Sequence, residues 1–278
     1  MKPFGAPSDR MIQFGKIYTE NCVDTLRRMP EEFVDMTITS PPYDDLRDYN
    51  GYHFPVEEIA AGLFAKTKPG GVVIWVVGDR THNGSESLSS FAHAFAFRDA
   101  GWRVHDTMIY AKNNPIPSDC GRRYRQCFEY MFCFSKGTPK TFNPLTEPTK
   151  SAGQKIKAFR ITGAGRGNVP EEDIGREIKT ERKLSNIFSY NVGTSSSRDK
   201  IAFEHPAIFP EQLVEDQIRT WTDEGDVVYD CFMGSGTTAK MAEVLGRRWF
   251  GSEISEEYVR IAEERVRPYV ASAEKAAV

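Results

Sequence analysis

Cysteine is scarce in this sequence and never paired. The five residues, Cys22, Cys120, Cys127, Cys133 and Cys231, include no Cys-x-x-Cys and sit near no histidine cluster. That spacing excludes the usual zinc frameworks, so no metal site is expected. Long apolar runs are missing too. None approaches the length of a membrane span, and Met1 to Arg10 lacks the apolar core of a secretion leader, so free thiols in a reducing cytoplasm are expected. There is no internal repeat. Strong net charge is also absent: the sum is −3 with 27% charged residues. Any contact with a polyanion must therefore come from a local basic surface.

What is present suits one large α/β domain, or one carrying an inserted lobe: 278 residues, 40% hydrophobic. Val34 to Thr39 reads as a buried strand, and a short strand and a helix around Val23–Arg28 precede it. Val56 to Lys66 places Val56, Ile59, Ala60, Leu63 and Phe64 on one helical face and ends at Pro69-Gly70-Gly71. Val72 to Val77 is apolar without alternation, as a strand buried on both faces requires. Leu88 to Ala100 reads as an amphipathic helix with Leu88, Phe91, Ala92 and Phe95 inward. Arg103–Ala111 and Cys127–Phe134 read as strands. After Pro210 a helix carries Leu213, Val214, Ile218 and Trp221. The strand Val227–Tyr229, a helix from Ala239 to Leu245, the strand Trp249–Glu253 and a helix through Val266 follow. The alternation of strand and helix predicts a doubly wound sheet with helices on both faces. Residues 271–278 read as a frayed tail.

Between Thr138 and Lys200 apolar periodicity fades. Lys150 to Lys200 holds 11 Lys/Arg against 6 Asp/Glu, a local basic excess in an acidic chain. The expected organisation is thus 1–137 and 201–270 as two parts of one domain, with 138–200 inserted between them.

Two strand ends carry chemistry. The first is Thr39-Ser40-Pro41-Pro42-Tyr43, where two prolines stop the strand and fix the backbone beyond it. Ligands bind at such carboxyl ends in open α/β sheets. The second is Asp230-Cys231-Phe232-Met233-Gly234-Ser235-Gly236-Thr237-Thr238, a strand, glycine turn and helix start, with Glu253 closing the next strand. This is a nucleotide-site layout, but the third glycine of a dinucleotide turn is missing. Asp230 would repel a pyrophosphate and suit a cationic group, and a sulfonium methyl donor, S-adenosylmethionine, fits both points.

Together with His205-Pro206-Ala207-Ile208-Phe209-Pro210 and Gly251-Ser252-Glu253, these segments resemble the motifs of site-specific DNA amino-methyltransferases. The order, catalytic motif before cofactor motif, resembles the β group of that family. The resemblance covers nearly the whole chain outside Thr138–Lys200. It implies a Rossmann-like, S-adenosylmethionine-dependent fold with a target-recognition insertion. It implies methyl transfer to the amino group of a base flipped out of double-stranded DNA. Ser40, Pro41, Pro42 and Tyr43 would be catalytic. Asp230, Phe232, Gly234, Ser235, Gly236, Thr237, Thr238, Glu253 and Ile254 would bind the cofactor, with Thr39, His205, Pro206 and Phe209. Asn21 stands where the family usually has an acid near the adenine of the cofactor. Arg47, Arg122, Arg123, Arg125, Arg160, Arg166, Arg176, Arg182 and Lys183 are the candidates for DNA contact. Serine before Pro-Pro points to the position-4 amino group of cytosine, with the adenine amino group as the alternative. Carbon-5 methylation needs a Pro-Cys nucleophile, and the chain has no Pro-Cys pair. The resemblance also allows a homodimer and a cognate restriction endonuclease. The rivals are an RNA or protein-glutamine methyltransferase, a nucleotide-binding oxidoreductase, and a DNA-binding module without catalysis.

Overall fold

The run Val72–Val77 offers no polar face, and a computed structural model of the chain buries all six residues. The structure describes residues 11–42, 54–115, 121–154 and 177–276. Tyr43, Arg47, Arg160, Arg166 and Arg176, all candidate site residues, lie outside the described residues.

In chain order the elements are β1 (Lys16–Thr19), α1 (Cys22–Arg28), β2 (Val34–Thr39), α2 (Val56–Lys66), β3 (Thr67–Val77), the short pair β4 (Thr81–His82) and β5 (Ser85–Glu86), α3 (Ser89–Asp99), β6 (Arg103–Lys112), β7 (Phe128–Ser135), β8 (Thr146–Pro148), β9 (Glu181–Lys183), β10 (Ile187–Tyr190), α4 (Glu211–Trp221), β11 (Val227–Asp230), α5 (Thr237–Val244), β12 (Arg248–Glu253) and α6 (Glu256–Ala276). Eight strands form one sheet in the order β1-β12-β11-β2-β3-β7-β6-β10. β7 runs antiparallel to β3 and β6, and every other pairing is parallel.

The period of two along β3 divides the core. Val72, Ile74 and Val76 pack with Leu213, Ile218, Ala239 and Ala262 of α4, α5 and α6. Val73, Trp75 and Val77 pack with Leu26, Ile59, Leu63 and Phe97 of α1, α2 and α3. Each Val, Leu, Ile or Phe among them contributes about 1.5–3 kcal/mol when fully buried. The result is the expected Rossmann-like sheet covered on both faces.

Four local expectations are corrected. On α3 the inward residues are Ser89, Ser90, His93 and Phe97, while Leu88, Phe91 and Phe95 are exposed. Polar groups turn inward because they have partners: Asp79 accepts from the Ser90 amide and hydroxyl, and His93 Nδ1 accepts from the Trp75 indole at 3.1 Å. Second, Pro69-Gly70-Gly71 is not a simple stop after α2, since β3 begins at Thr67 and passes through it with a register shift against β2. Third, Ile187–Tyr190 inside the basic stretch joins the main sheet as its edge, parallel to β6. Fourth, α6 continues to Ala276, through most of the stretch expected to fray.

The chain divides into two compact units, Met1–Asn143 with Asn186–Val278, and Pro144–Ser185. Residues 138–143 stay with the first because the Asn143 amide donates to the Thr220 carbonyl and Thr141 to Asp223. The second unit is held by β8 against β9, with Arg182 paired to Glu147 and Thr146 donating to Glu181. No helix among the described residues is long and apolar enough to cross a membrane.

Candidate active site

β2 and β11 are sheet neighbours although 191 residues separate their carboxyl ends, with Met36 opposite Val228 and Thr37 opposite Tyr229. From β11 the sheet continues to β12 and β1 on one side and through β2 to β3 on the other. Their ends therefore meet at the reversal of strand order, where a crevice opens above an α/β sheet.

Asp230 ends β11 and is 2% exposed. One carboxylate oxygen accepts from the Thr39 hydroxyl at 2.6 Å and the Phe232 amide at 3.0 Å, and the other accepts from the Thr238 hydroxyl at 2.6 Å. Burial pushes its pKa up to about 6, against the pull of those hydroxyls. Glu253, at the end of β12, accepts from the Gly234 amide at 2.9 Å and the Ser255 amide at 3.0 Å. Among the described residues neither carboxylate has a cationic partner. Two buried carboxylates without a countercharge are costly unless a cation joins them.

The turn between them has little room. Gly236 caps α5 at φ +78°, and a Cβ there would lie 2.8 Å from the Ala262 Cβ. Gly234 has φ +50°, and a Cβ there would press on the His205 ring at 3.2 Å. Both conformations favour glycine. The His205 ring packs edge-on against Tyr258 at 4.2 Å. Burial lowers the His205 pKa, which keeps the ring neutral at neutral pH.

A cavity of about 620 Å³ unites the two strand ends. Ser40, Pro41, Pro42 and Asn21 line it, with Asp230, Phe232, Gly234, Ser235, Thr237, Thr238, Glu253 and Ile254. His205, Pro206 and Phe209 line it as well. Ser40 is half-buried, and its hydroxyl has no hydrogen-bond partner among the described residues. Thr39 and Gly236 do not reach the cavity; Thr39 lies beneath it, holding Asp230, and Gly236 packs on α6. Asn21 also caps α1 by accepting from the Val23 amide at 2.9 Å. Cys22 and Cys231 line the cavity, but burial pushes the Cys22 thiol to about 12 and the Cys231 thiol well above its ordinary range.

The arginine candidates are scattered. Arg122, Arg123 and Arg125 are exposed between β6 and β7, Arg123 pairing with Glu86 at 3.1 Å. Arg182 and Lys183 are exposed on β9.

Sequence reasoning passed over the cluster behind the glycine turn. Arg265 of α6 is fully buried and donates to the Ser235 carbonyl at 3.0 Å, Thr237 at 2.9 Å, Ser197 at 3.1 Å, Asp199 at 2.9 Å and Glu211 at 2.7 Å. Lys240 reaches the same two carboxylates at 2.7 and 2.8 Å. Burial alone would raise Asp199 and Glu211, yet Lys240 and Arg265 hold both below the usual range. A signal existed: Arg265 falls on the apolar stripe of Ile261, Ala262 and Val266, where an unpaired charge could not be buried.

A model of the DNA methylase family, which groups N6 and N4 enzymes, matches residues 34–264. An orphan methyltransferase, M.BamHII, from Bacillus amyloliquefaciens is 50% identical over 246 residues, covering 85% of this chain and 90% of that protein. The type II methyltransferase M.BglII from Bacillus subtilis is 26% identical, covering 89% and 67%. Among solved structures, the cytosine-N4-specific PvuII DNA methyltransferase superposes with a TM-score of 0.67 at 22% identity, covering 94% of this chain and 96% of that one. A putative DNA modification methylase from Thermus thermophilus, solved with S-adenosyl-L-methionine, gives 0.61 at 24%, covering 92% and 93%. At these identities the two structures speak for the fold.

Proposed function

This chain belongs to the N6/N4 DNA methylase family, and on that premise we propose that it methylates the position-4 amino group of a cytosine flipped out of duplex DNA, with S-adenosylmethionine as donor. One observation carries the reading: a single cavity joins the unpartnered Ser40 hydroxyl and the Pro41–Pro42 backbone to the two uncompensated carboxylates.

The acidic end fits the cofactor. Asp230 and Glu253 would hold it through its positive charge and its ribose hydroxyls, with His205, Phe209 and the Gly234–Thr238 turn around them. When bound, S-adenosylmethionine supplies an electrophilic methyl group on a cationic sulfur.

The serine end fits an amino group. The lone pair of an exocyclic amine is delocalised into the ring, which makes it a poor nucleophile. Ser40 Oγ and the Pro41 carbonyl accept its two hydrogens and localise that pair. The prolines hold the acceptors fixed, so the contribution is orientation and preorganised electrostatics. Tyr43 stacks on the base in this reading, recovering about 1–3 kcal/mol of the few kcal/mol that flipping costs. The buried Cys22 and Cys231 thiols are poor nucleophiles, which disfavours carbon-5 chemistry.

Target recognition is assigned to the Thr138–Lys200 segment, with the compact unit Pro144–Ser185 as its body. Within it the candidate DNA contacts are Arg160, Arg166, Arg176, Arg182 and Lys183, and Arg47, Arg122, Arg123 and Arg125 are further candidates outside it. The exposed pairs of Arg123 and Arg182 cost little to exchange for phosphate.

The test is incubation with methyl-labelled S-adenosylmethionine and duplex DNA, then digestion to nucleosides. Label on the cytosine amino group is expected. Label on adenine would replace cytosine with the alternative base, and unlabelled DNA would defeat the proposal.

A further inference from the structure

Tyr110 and Lys112 of β6 and Glu129 of β7 place polar groups on the cavity wall apart from the two strand ends. β7 is antiparallel to both β3 and β6, and β3 is parallel to β2. The end of β6 and the start of β7 therefore lie at the sheet edge where Ser40 follows β2. Tyr110 is directly opposite Glu129 in the β6–β7 register. Lys112 Nζ is 2.6 Å from a Glu129 carboxylate oxygen and 5.8 Å from the centre of the Tyr110 ring.

As a residue Tyr110 is 3% exposed, but its hydroxyl is not among the buried unpartnered side-chain oxygens of the described residues, which are those of Thr37, Thr67 and Thr149. It has no hydrogen-bond partner among the described residues and lines the cavity, so it is a donor that an acceptor entering the cavity can meet. Burial, with Glu129 nearby, raises its pKa and keeps it a donor. Glu129 occupies one direction of the Lys112 ammonium, and its remaining hydrogens are free to donate.

We propose that Lys112 and Tyr110 are the two donors that read the ring edge of the flipped base, and that Glu129 is the positioning residue for Lys112. The inference rests on the methyltransferase reading above. Beyond its amino group, cytosine presents two adjacent acceptors on this edge, N3 and O2. Adenine presents one, N1, followed by C2–H. Ser40 and Pro41 take the amino hydrogens of either base. Two donors then match cytosine, Lys112 at N3 and Tyr110 at O2, while adenine pairs Lys112 through N1 and leaves Tyr110 facing C2–H without a partner. A site built to hydrogen-bond a group discriminates strongly against an analogue lacking it. The trio thus supplies a basis for base choice that the residue before Pro-Pro does not.

The alternative is a plain cross-strand ion pair beside a core tyrosine. It predicts equal losses on both bases when any of the three is changed. The test uses the full chain and two duplexes, one with the mapped target cytosine and one with adenine in its place. Single-turnover methylation is followed with excess enzyme, with S-adenosylmethionine affinity measured by calorimetry as the control. Tyr110→Phe should lower the cytosine rate about 10–100-fold, spare the adenine rate and leave cofactor affinity unchanged, so the cytosine-to-adenine ratio falls. Glu129→Gln should slow cytosine methylation with the same unchanged cofactor affinity, and it serves as the second variant if Tyr110→Phe folds poorly. An unaltered ratio in Tyr110→Phe, or a wild-type preference for adenine, overturns the proposal. Unlabelled wild-type DNA overturns the methyltransferase reading itself.

Discussion

Asp230 makes the charge of the proposed cofactor testable without any DNA. Its pKa is raised from an ordinary 3.8 to about 6 because it is buried without a cation. That displacement is worth about 3 kcal/mol against the charged form. The sign follows from linkage. The folded state holds the proton more tightly, so the stabilisation is full below pH 3.8 and is lost as pH rises through about 6. Asp230→Asn cannot ionise, and the Thr39 and Thr238 hydroxyls can rotate to serve an amide. The variant should therefore be more stable than wild type at pH 7.5 without ligand, by up to about 3 kcal/mol, a rise of several degrees in Tm. It should also bind S-adenosylmethionine up to ~100-fold more weakly. In wild type the affinity should fall about tenfold between pH 7 and pH 5, because one pH unit below its pKa about a tenth of the carboxyls remains ionised. S-adenosylhomocysteine, whose sulfur is neutral, is the control and should show a much flatter profile. His205 faces the same cavity and gains charge on acidification, so any slope left in Asp230→Asn reports that ring. Calorimetric titrations of both ligands across pH 5 to 8 decide the matter. Equal pH profiles for the two ligands, or wild-type affinity in Asp230→Asn at pH 7.5, would refute the reasoning.

Three further outcomes are expected. Ser40→Ala should lower the rate of methyl transfer by at least about 100-fold while sparing cofactor affinity; a comparable loss of affinity in a titration would contradict its assignment to the amino group. Arg265→Met should cost about 3–5 kcal/mol in urea unfolding, because Asp199 and Glu211 would keep their burial and lose a partner, and Arg265→Lys should recover part of it. Gly236→Ala should cost at least about 1 kcal/mol and weaken cofactor binding, since its Cβ would meet Ala262 at 2.8 Å in a left-handed backbone; an unchanged Tm would show that the turn relaxes freely.

Local sequence determined the elements whose signals are short-ranged. β2 ends at Thr39 because Pro41 and Pro42 follow, α2 spans Val56 to Lys66 as its apolar spacing requires, and β3 is apolar on both faces because both are covered. The glycine turn and the two acids were legible for the same reason, since only certain residues tolerate that backbone and that charge. The inward face of α3 was not legible: Ser90 and His93 are buried by partners on Asp79 and Trp75 that periodicity cannot see. β10 escaped notice because a four-residue edge strand carries too little pattern, and its place depends on β6. Tertiary structure alone brought Thr39 to Asp230, set Arg265 beneath Ser235, and placed Tyr110 on the shared cavity wall with no hydroxyl partner among the described residues. Those are relations between strands and helices far apart in the chain. They arise from parallel pairing across crossovers, which fixes which strand ends meet only once the whole sheet has formed.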